Sequence, residues 1–424
     1  MFGGFLLFPR SMCGKCAKKA LKSCDFGYFL TGALCDDSWS PLRYIKINTN
    51  STERNSVIAG EIVTTAGEKI GARHEALGGD VHRIYYDVYE PSVPKGSNFT
   101  LTHSYYGLSA FVFRSAHNVT VEDVHIDDFG GFCFAILPRS SNFTFRRVRF
   151  ESSEPEHRRY SSCADAIHTT GLYGYLRIED CRFDGIGDDV LNVHALMLSV
   201  KEKTEDKITL MLDKANACFP KRFIEAGDQL YVFDSETLGF KGKMSVLSVG
   251  GDEKDEVTVD NPNIASEHDY IFNYFYMPDV TITGTTVIRS RSRLCIQSGK
   301  NVEIYGNGSD TCMFQACIYI SVAFSYWREG GIAENVSIHD NVLCPVEEGR
   351  RAVWLRINEK EPEKVQYRHG KISIENNRIF GGTVDLTAAE AVTVCGNTIK
   401  ICGTEPLALR DCRNVTISGN TFEK

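Results

Sequence analysis

Apolar residues recur two apart, rather than three or four apart, in short segments along most of the 424-residue chain. The segments read NVTVEDVHI from Asn118, NFTFRRVRF from Asn142 and YLRIEDCRF from Tyr175. Further copies are DVTITGTTV from Asp279, NVEIYGNG from Asn301, NVSIHDNVL from Asn335, KISIENNRI from Lys371, AVTVCGNTI from Ala391 and NVTISGNTF from Asn414. A period of two is that of a strand with one buried face. Each copy is an alternating strand, a turn rich in Asn, Asp or Gly, and a second apolar stretch. Successive copies lie about 20 to 24 residues apart, and longer intervals carry an inserted loop.

A unit this short has no means of burying its apolar side alone. Stacking copies, so that each strand pairs in parallel with its counterpart one coil on, builds a continuous core. The predicted fold is therefore all-β, a parallel β-helix with coils about 4.8 Å apart. The general preference for right-handed crossovers gives it a right hand. The repeat fits residues 1–75 poorly, and these are expected to form an atypical N-terminal cap. Coils are predicted over 76–195 and again over 277–424. Between them, 196–276 reads as alternating strands joined by charged or glycine turns, which predicts hairpins closing into a small inserted β-barrel. Irregular stretches at 152–163 and 323–333 are expected to form loops on the same face.

The same repeat accounts for a set of glycosylation-like triplets. Asn98, Asn118, Asn142, Asn335 and Asn414 each begin N-x-[ST]. They recur at the repeat's own turn, where Asn tolerates a left-handed backbone and bonds its neighbour one coil away.

Composition narrows the function. A hydrophobic share of 42 % and a charged share of 24 % are those of a globular chain. A net charge of −8 disfavours a general nucleic-acid surface, which needs a clustered basic face. No run reaches the ~18 apolar residues that span a membrane. The 15 cysteines are mostly single and sit in strand-like runs, as do Cys133, Cys181, Cys295 and Cys395. They are expected to be buried thiols, which suits a reducing compartment such as the cytoplasm. The opening MFGGFLLFPRSMCGKCAKK has no basic region before its short apolar run and makes a poor signal peptide. Cys13, Cys16, Cys24 and Cys35 offer a CxxC and two more thiols, spread too widely for a usual zinc ribbon.

Candidate chemistry concentrates in ADAIHTTGLYGYLRIEDCRFDGIGDDVLNVHA, from Ala164. Asp165 stands in an otherwise apolar predicted strand, and Asp188 and Asp189 follow about one coil later. Aligning Asp165 with Asp189 also aligns Ile167 with Leu191 and keeps the inward column apolar. Carboxylates on neighbouring coils resist simultaneous ionisation, so one tends to hold a proton. One protonated and one ionised carboxyl is what glycoside hydrolysis uses. GIGDD is equally good turn chemistry, and an exposed Asp pair is commonly just solvated. His168, Asn192 and His194 place hydrogen-bonding groups beside the acids on both coils.

ADAIH, one coil's length, then GDDVLNVH and an inserted β-rich segment resembles glycoside hydrolase family 110, the bacterial α-1,3-galactosidases. RSRSRLCIQSGKNVEIYGN, YWREGG and NVSIHDNV are similar to that family's later coils, so the likeness covers roughly residues 98–345. It implies removal of a terminal α-linked galactose from an oligosaccharide or glycan, with inversion and without metal or cofactor. The family's three acidic positions fall on Asp165, Asp188 and Asp189, and likeness to the related polygalacturonase arrangement makes Asp188 the general acid and the other two the pair holding the water. His168, Asn192, His194, Arg293, Trp327 and Glu329 are the candidates for holding the sugar, Trp327 by an apolar face. Ala195 departs from the pattern, standing where a turn glycine is expected. A polygalacturonase of family 28 shares the β-helix and three aspartates, but neither its Arg-x-Lys nor its GHG stands at a suitable position. A calcium-dependent lyase and a non-catalytic glycan-binding β-helix compete with the galactosidase reading as well. Exposed flanks would let such a solenoid pair as a homodimer.

Overall fold

A computed structural model describes the strands Lys46–Asn50, Val57–Glu61, Arg73–Gly78 and Val81–Tyr85. It also describes residues 109–423 apart from 130, 154–159, 163, 212–222, 251–255, 292, 313–315, 324–326, 346–350, 359–364 and 402–404. The Cys13 to Cys35 cluster and Asn98 lie outside the described residues.

The repeats stack as a parallel β-helix with three faces. Tyr175 to Glu179 pair in parallel with Asp279 to Thr283, Asp279–Thr283 with Gly299–Tyr305, and that strand with Ala333–His339. This face runs on to Thr416–Ser418, and the second apolar stretch of each repeat builds another, from His125–Asp127 to Thr421–Glu423. A third face, from Ser109–Phe113 to Leu407–Arg410, comes from segments outside the repeat's recognisable part, such as Ala316–Ala323 and Arg351–Asn358. Alternation sets what points inward: Leu176, Ile178, Val280, Ile282, Val302, Ile304, Val336 and Ile338 form one buried double column. Each such side chain contributes about 1.5–3 kcal/mol by leaving water.

The bend between the first two faces takes a left-handed residue on successive coils. It is Asp123, Arg147, Asp180, Gly284, Gly306, Asp340, Asn376, Gly396 and Gly419, with φ between 52° and 67°. Asp, Asn and Gly tolerate this region best, which is why the repeat's turn is rich in them. Asn118 and Asn142 are left-handed too, at φ 56° and 60°, and Asn142 donates its amide to Asn118 at 2.9 Å. Asn335 makes the equivalent bond to Asn301 at 3.1 Å. These asparagines thus bond their neighbours one coil away as expected, but from within the strands His117–Glu122, Ser140–Arg146 and Ala333–His339 rather than from the turn.

The insertion is a closed antiparallel barrel. Leu191–Lys203 pairs with Lys207–Met211, which pairs with Glu256–Val259, then Phe240–Gly250, Gln229–Phe233 and Tyr270–Asn273, which returns to the first strand. Leu198, Val200, Ile208, Leu230, Val232, Met244, Val246, Val257 and Ile271 fill it. Met197, Phe233 and Phe272 pack with Val322 and Ile357 of the coils, so barrel and solenoid share a core.

Two details correct the sequence-based picture. Cys133, Cys181 and Cys295 are buried, but Cys395 is only half-buried. It occupies an outward position of Val392–Cys395, beyond the inward Val392 and Val394. Asp165 lies in the bend before Ile167–Thr170 rather than within an apolar strand. No helix among the described residues is long and apolar enough to cross a membrane.

Candidate active site

The register places the acids. Ile167 pairs with Leu191, His168 with Asn192 and Thr170 with His194. The backbone ladder continues back into the bend, with Ala166 N–H donating to the Asp189 carbonyl at 3.2 Å. Asp165 and Asp189 therefore face each other across one coil, as the inward apolar column predicted. Asp189 donates its own N–H to Asp165 Oδ1 at 3.1 Å.

Leu191–Lys203 performs two tasks. Its first four residues belong to the β-helix and carry Asn192 and His194, while its later residues form the barrel wall. Between these parts, Ala195 and Leu196 pair antiparallel with Gly330 and Glu329. Ala195 is fully buried in mid-strand, so no turn glycine is needed there. A Cβ on Gly330 would come within 2.7 Å of the Met197 side chain, so this crossing requires glycine.

The antiparallel crossing brings Glu329, distant in sequence, onto Asn192. Asn192 Nδ2 donates to Glu329 Oε2 at 3.3 Å and Gln297 Nε2 donates to the same oxygen at 2.6 Å. Trp327, two residues earlier, is 44 % exposed. Arg328 lies over the Tyr270 ring at 4.9 Å and ties this stretch to the barrel.

The following coil supplies cations. Arg291 Nη1 donates to Asp188 Oδ1 at 2.6 Å, and Arg293 Nε lies 3.5 Å from Asp189 Oδ1. Arg293 also stacks on Tyr319 at 4.2 Å. Below the acids, His168 Nδ1 lies 2.7 Å from Asp165 Oδ2, and its Nε2 lies 3.1 Å from His194 Nε2. Thr170 Oγ1 is also 3.1 Å from His194 Nε2. The Phe132 ring packs on His168 at 4.6 Å.

Burial dominates the electrostatics. It pushes the Asp165 carboxyl well above its ordinary range, and the charges of Asp189, Asp188 and Glu329 push the same way. Burial lowers His168 and takes His194 down to about 4. Burial pushes Glu329 up, but His194, His168 and the amides of Asn192 and Gln297 outweigh it and hold the group below its usual value. With His194 itself neutral above about pH 4, those amides sustain the Glu329 charge at neutral pH. Burial opposes the charge of Arg293, and Asp189 beside it more than restores it.

The structure thus brings Asp165, Asp188, Asp189, His168, Asn192, His194, Arg293 and Glu329 to one place, with the exposed Trp327 two residues before Glu329. Inspection of the sequence missed Arg291 and Gln297. Their signal is register: Leu191 pairs with Leu294, which sets Arg291 and Arg293 beside the GDD turn. A ring nitrogen each of His168 and His194 and a Glu329 oxygen lie within 4.8 Å of one another, a set of donors that a metal ion would find attractive. Here those atoms bond to each other and to the amides of Asn192 and Gln297.

No family model matches the chain. It is similar to α-1,3-galactosidase A of Bacteroides thetaiotaomicron, at 24 % identity over 74 % of this chain and 58 % of that protein. It is also similar to α-1,3-galactosidase B of Akkermansia muciniphila, at 23 % identity over 82 % and 46 %, and to α-1,3-galactosidase A of Peterkaempfera griseoplana, at 26 % over 64 % and 40 %. The resemblance carried by ADAIH and GDDVLNVH is thus borne out along most of the chain, which spans about half the length of these curated relatives. Among solved structures, an exopolygalacturonase from Thermotoga maritima aligns at 16 % identity over 73 % of this chain and 55 % of that one, with a TM-score of 0.35.

Proposed function

We propose that the chain is a glycoside hydrolase that removes terminal α-1,3-linked galactose from an oligosaccharide, by single displacement with inversion. The observation that carries this is the meeting of three carboxyl groups from adjacent coils, beside a wall formed by the barrel strand and Glu329. Asp188 is the most exposed of the three, its side chain 14 % accessible against 10 % for Asp189 and 5 % for Asp165. It gives its proton to the departing glycosidic oxygen. The Arg291 guanidinium, 2.6 Å from its Oδ1, stabilises the carboxylate left behind. Asp189, backed by Asp165, takes a proton from the water that attacks the anomeric carbon on the opposite face.

Glu329, Asn192 and Arg293 supply hydrogen bonds to sugar hydroxyls, and Trp327 offers an aromatic face to the apolar side of the ring. Acid, base and charge-stabilising groups are all side chains of this chain, so the reaction needs no metal ion. The test is hydrolysis of Gal-α-1,3-Gal by wild type and by Asp165→Asn, Asp188→Asn and Asp189→Asn, with the released anomer followed by NMR. Release of β-galactose, lost in all three variants, is the expected result. Release of α-galactose would overturn inversion. If no galactose is released, the galactosidase reading fails, and binding without turnover would favour a glycan-binding β-helix.

A further inference from the structure

The contacts beneath Asp165 fix where the hydrogens lie. His194 Nδ1 is 2.9 Å from the Ala195 carbonyl oxygen, which only accepts, so Nδ1 carries the hydrogen. His194 is 2 % exposed, and burial keeps it neutral, so its Nε2 has a lone pair. Two lone pairs 3.1 Å apart would repel, and His168 Nε2 must therefore be the donor between the two rings. Thr170 is placed to donate its hydroxyl to the same His194 nitrogen. That leaves His168 Nδ1, 2.7 Å from Asp165 Oδ2. A nitrogen lone pair and a carboxylate oxygen do not meet at that distance without a hydrogen between them.

We propose that Asp165 and His168 share one proton, fixed in place by His194, and that His168 is thereby the positioning residue that decides which carboxyl of the site is ionised. The groups facing His168 are Asp165 in its own bend, Asp188 and Asp189 in the GDD turn, His194 on the barrel strand and Glu329 on the crossing strand. From the next coil Arg293 offsets the charge of Asp189, and Arg291 lies against Asp188. The shared proton removes one negative charge from this cluster, at the carboxyl most deeply enclosed. Asp189, tied to Asp165 by its own N–H, then stays ionised and ready to take the proton of the attacking water. Water loses that proton to Asp189 as its oxygen bonds the anomeric carbon, and the glycosidic bond breaks with the Asp188 proton passing to the leaving oxygen. The Asp165–His168 proton does not move.

The protonation pattern stands on the contacts alone, and its kinetic consequence rests on the galactosidase reading. Two measurements keep these apart. The first is the ¹⁵N spectrum of full-length protein labelled in histidine, assigned through His168→Gln and His194→Gln. The expected result is a hydrogen on His194 Nδ1 with a bare Nε2, a hydrogen on His168 Nε2, and a His168 Nδ1 resonance that moves to the bare-nitrogen position in Asp165→Asn. A bare His168 Nε2, or a His168 ring indifferent to Asp165→Asn, would overturn the proposal. So would stoichiometric divalent metal in the purified protein that His168→Gln removes, because metal binding requires both Nε2 lone pairs.

The second measurement is kcat and KM against pH on Gal-α-1,3-Gal. His168→Gln is expected to lower kcat about 100-fold with KM within about twofold, and to displace the acid limb of the profile. His168→Asn, which returns a hydrogen-bonding group near the place of Nδ1, is expected to recover part of the loss. A kcat and pH profile unchanged in His168→Gln would overturn the positioning role. Absence of any turnover by wild type would instead sink the galactosidase reading and leave the spectrum to judge the proton.

Discussion

Asp189 reaches back one coil and donates its main-chain N–H to Oδ1 of Asp165 at 3.1 Å. That bond holds the two acidic residues together across the coil. Asp165→Asn keeps an acceptor for that N–H while removing the titrating group. Its expected signature is a loss of kcat of about 1000-fold with little change in the urea midpoint. Asp165→Ala leaves the buried N–H without its partner and is expected to cost about 1–3 kcal/mol of stability as well. Comparing the two urea midpoints checks the role of the bond separately from the chemistry.

Arg291 is the cation nearest the proposed acid, 2.6 Å from Asp188 Oδ1. If it stabilises the charge that appears on Asp188 as the leaving oxygen takes the proton, it acts mainly in the transition state. Arg291→Gln should then lower kcat roughly 100-fold and leave KM nearly unchanged. A rise in KM with kcat intact would place Arg291 in substrate binding.

Trp327 makes the opposite prediction. The residue is 44 % exposed, two positions before Glu329. Trp327→Ala removes an apolar sugar platform from ground and transition states alike, so KM is expected to rise about tenfold with kcat within about twofold. Trp327→Phe should restore most of the affinity. Progress curves on Gal-α-1,3-Gal give both constants.

Much of the fold was legible because a strand repeat exposes its own period. The inward Val and Ile pairs and the left-handed Asp, Asn and Gly turns recur at one-coil spacing, and that spacing alone aligned Asp165 with Asp189. The third face escaped notice because it is buried on both sides over much of its length. Ala316–Ala323 is buried at all eight positions and shows no alternation. A second asparagine ladder also went unseen. Asn307, Asn341, Asn377 and Asn397 hydrogen-bond one another inside the turn, Asn341 accepting from Asn307 at 3.0 Å and donating to Asn377 at 2.9 Å. The letters were visible, but their burial was not. Glu329 came from resemblance alone, and its meeting with Asn192 depends on an antiparallel crossing that no local pattern announces. Arg291 needed the register of a coil more than a hundred residues away.

Two buried histidines give stability a pH dependence. Burial takes both His194 and His369 down to about 4 from an ordinary 6.5. The unfolded chain therefore binds protons that the folded one refuses between these values. Stability is full above about pH 6.5 and falls as the pH drops towards 4, by up to roughly 3 kcal/mol for each group. His369 lies away from the acids, its Nε2 donating to the Arg356 carbonyl at 3.2 Å. His369→Gln keeps a donor there without a titrating ring. Urea midpoints measured from pH 7 to pH 4 should show a shallower decline in this variant, and an identical slope would remove His369 from the account.

The barrel is held against the coils by a buried ion pair. Arg139, in the left-handed turn after Phe132–Ile136, donates through Nη1 to Asp228 Oδ1 at 3.2 Å and through Nη2 to the Phe223 carbonyl at 3.3 Å. Asn273 of the barrel bonds Asp228 Oδ2 at 2.6 Å, and Tyr276 donates to the same Phe223 carbonyl at 2.9 Å. Asp228 is 6 % exposed, so Asp228→Ala strands a guanidinium in a poorly solvated place and is expected to cost about 3–5 kcal/mol. Asp228→Asn, which still accepts from Asn273, should cost less. The double variant Arg139→Leu with Asp228→Leu removes both charges and is expected to lose less than the sum of the single changes. Because the strand that leaves the candidate site becomes the barrel wall, the same loosening should appear in KM. Asp228→Asn is expected to raise it several-fold while the folded fraction at the assay temperature stays near complete. A KM equal to wild type would mean that the barrel's seating is felt by the fold and not by the sugar.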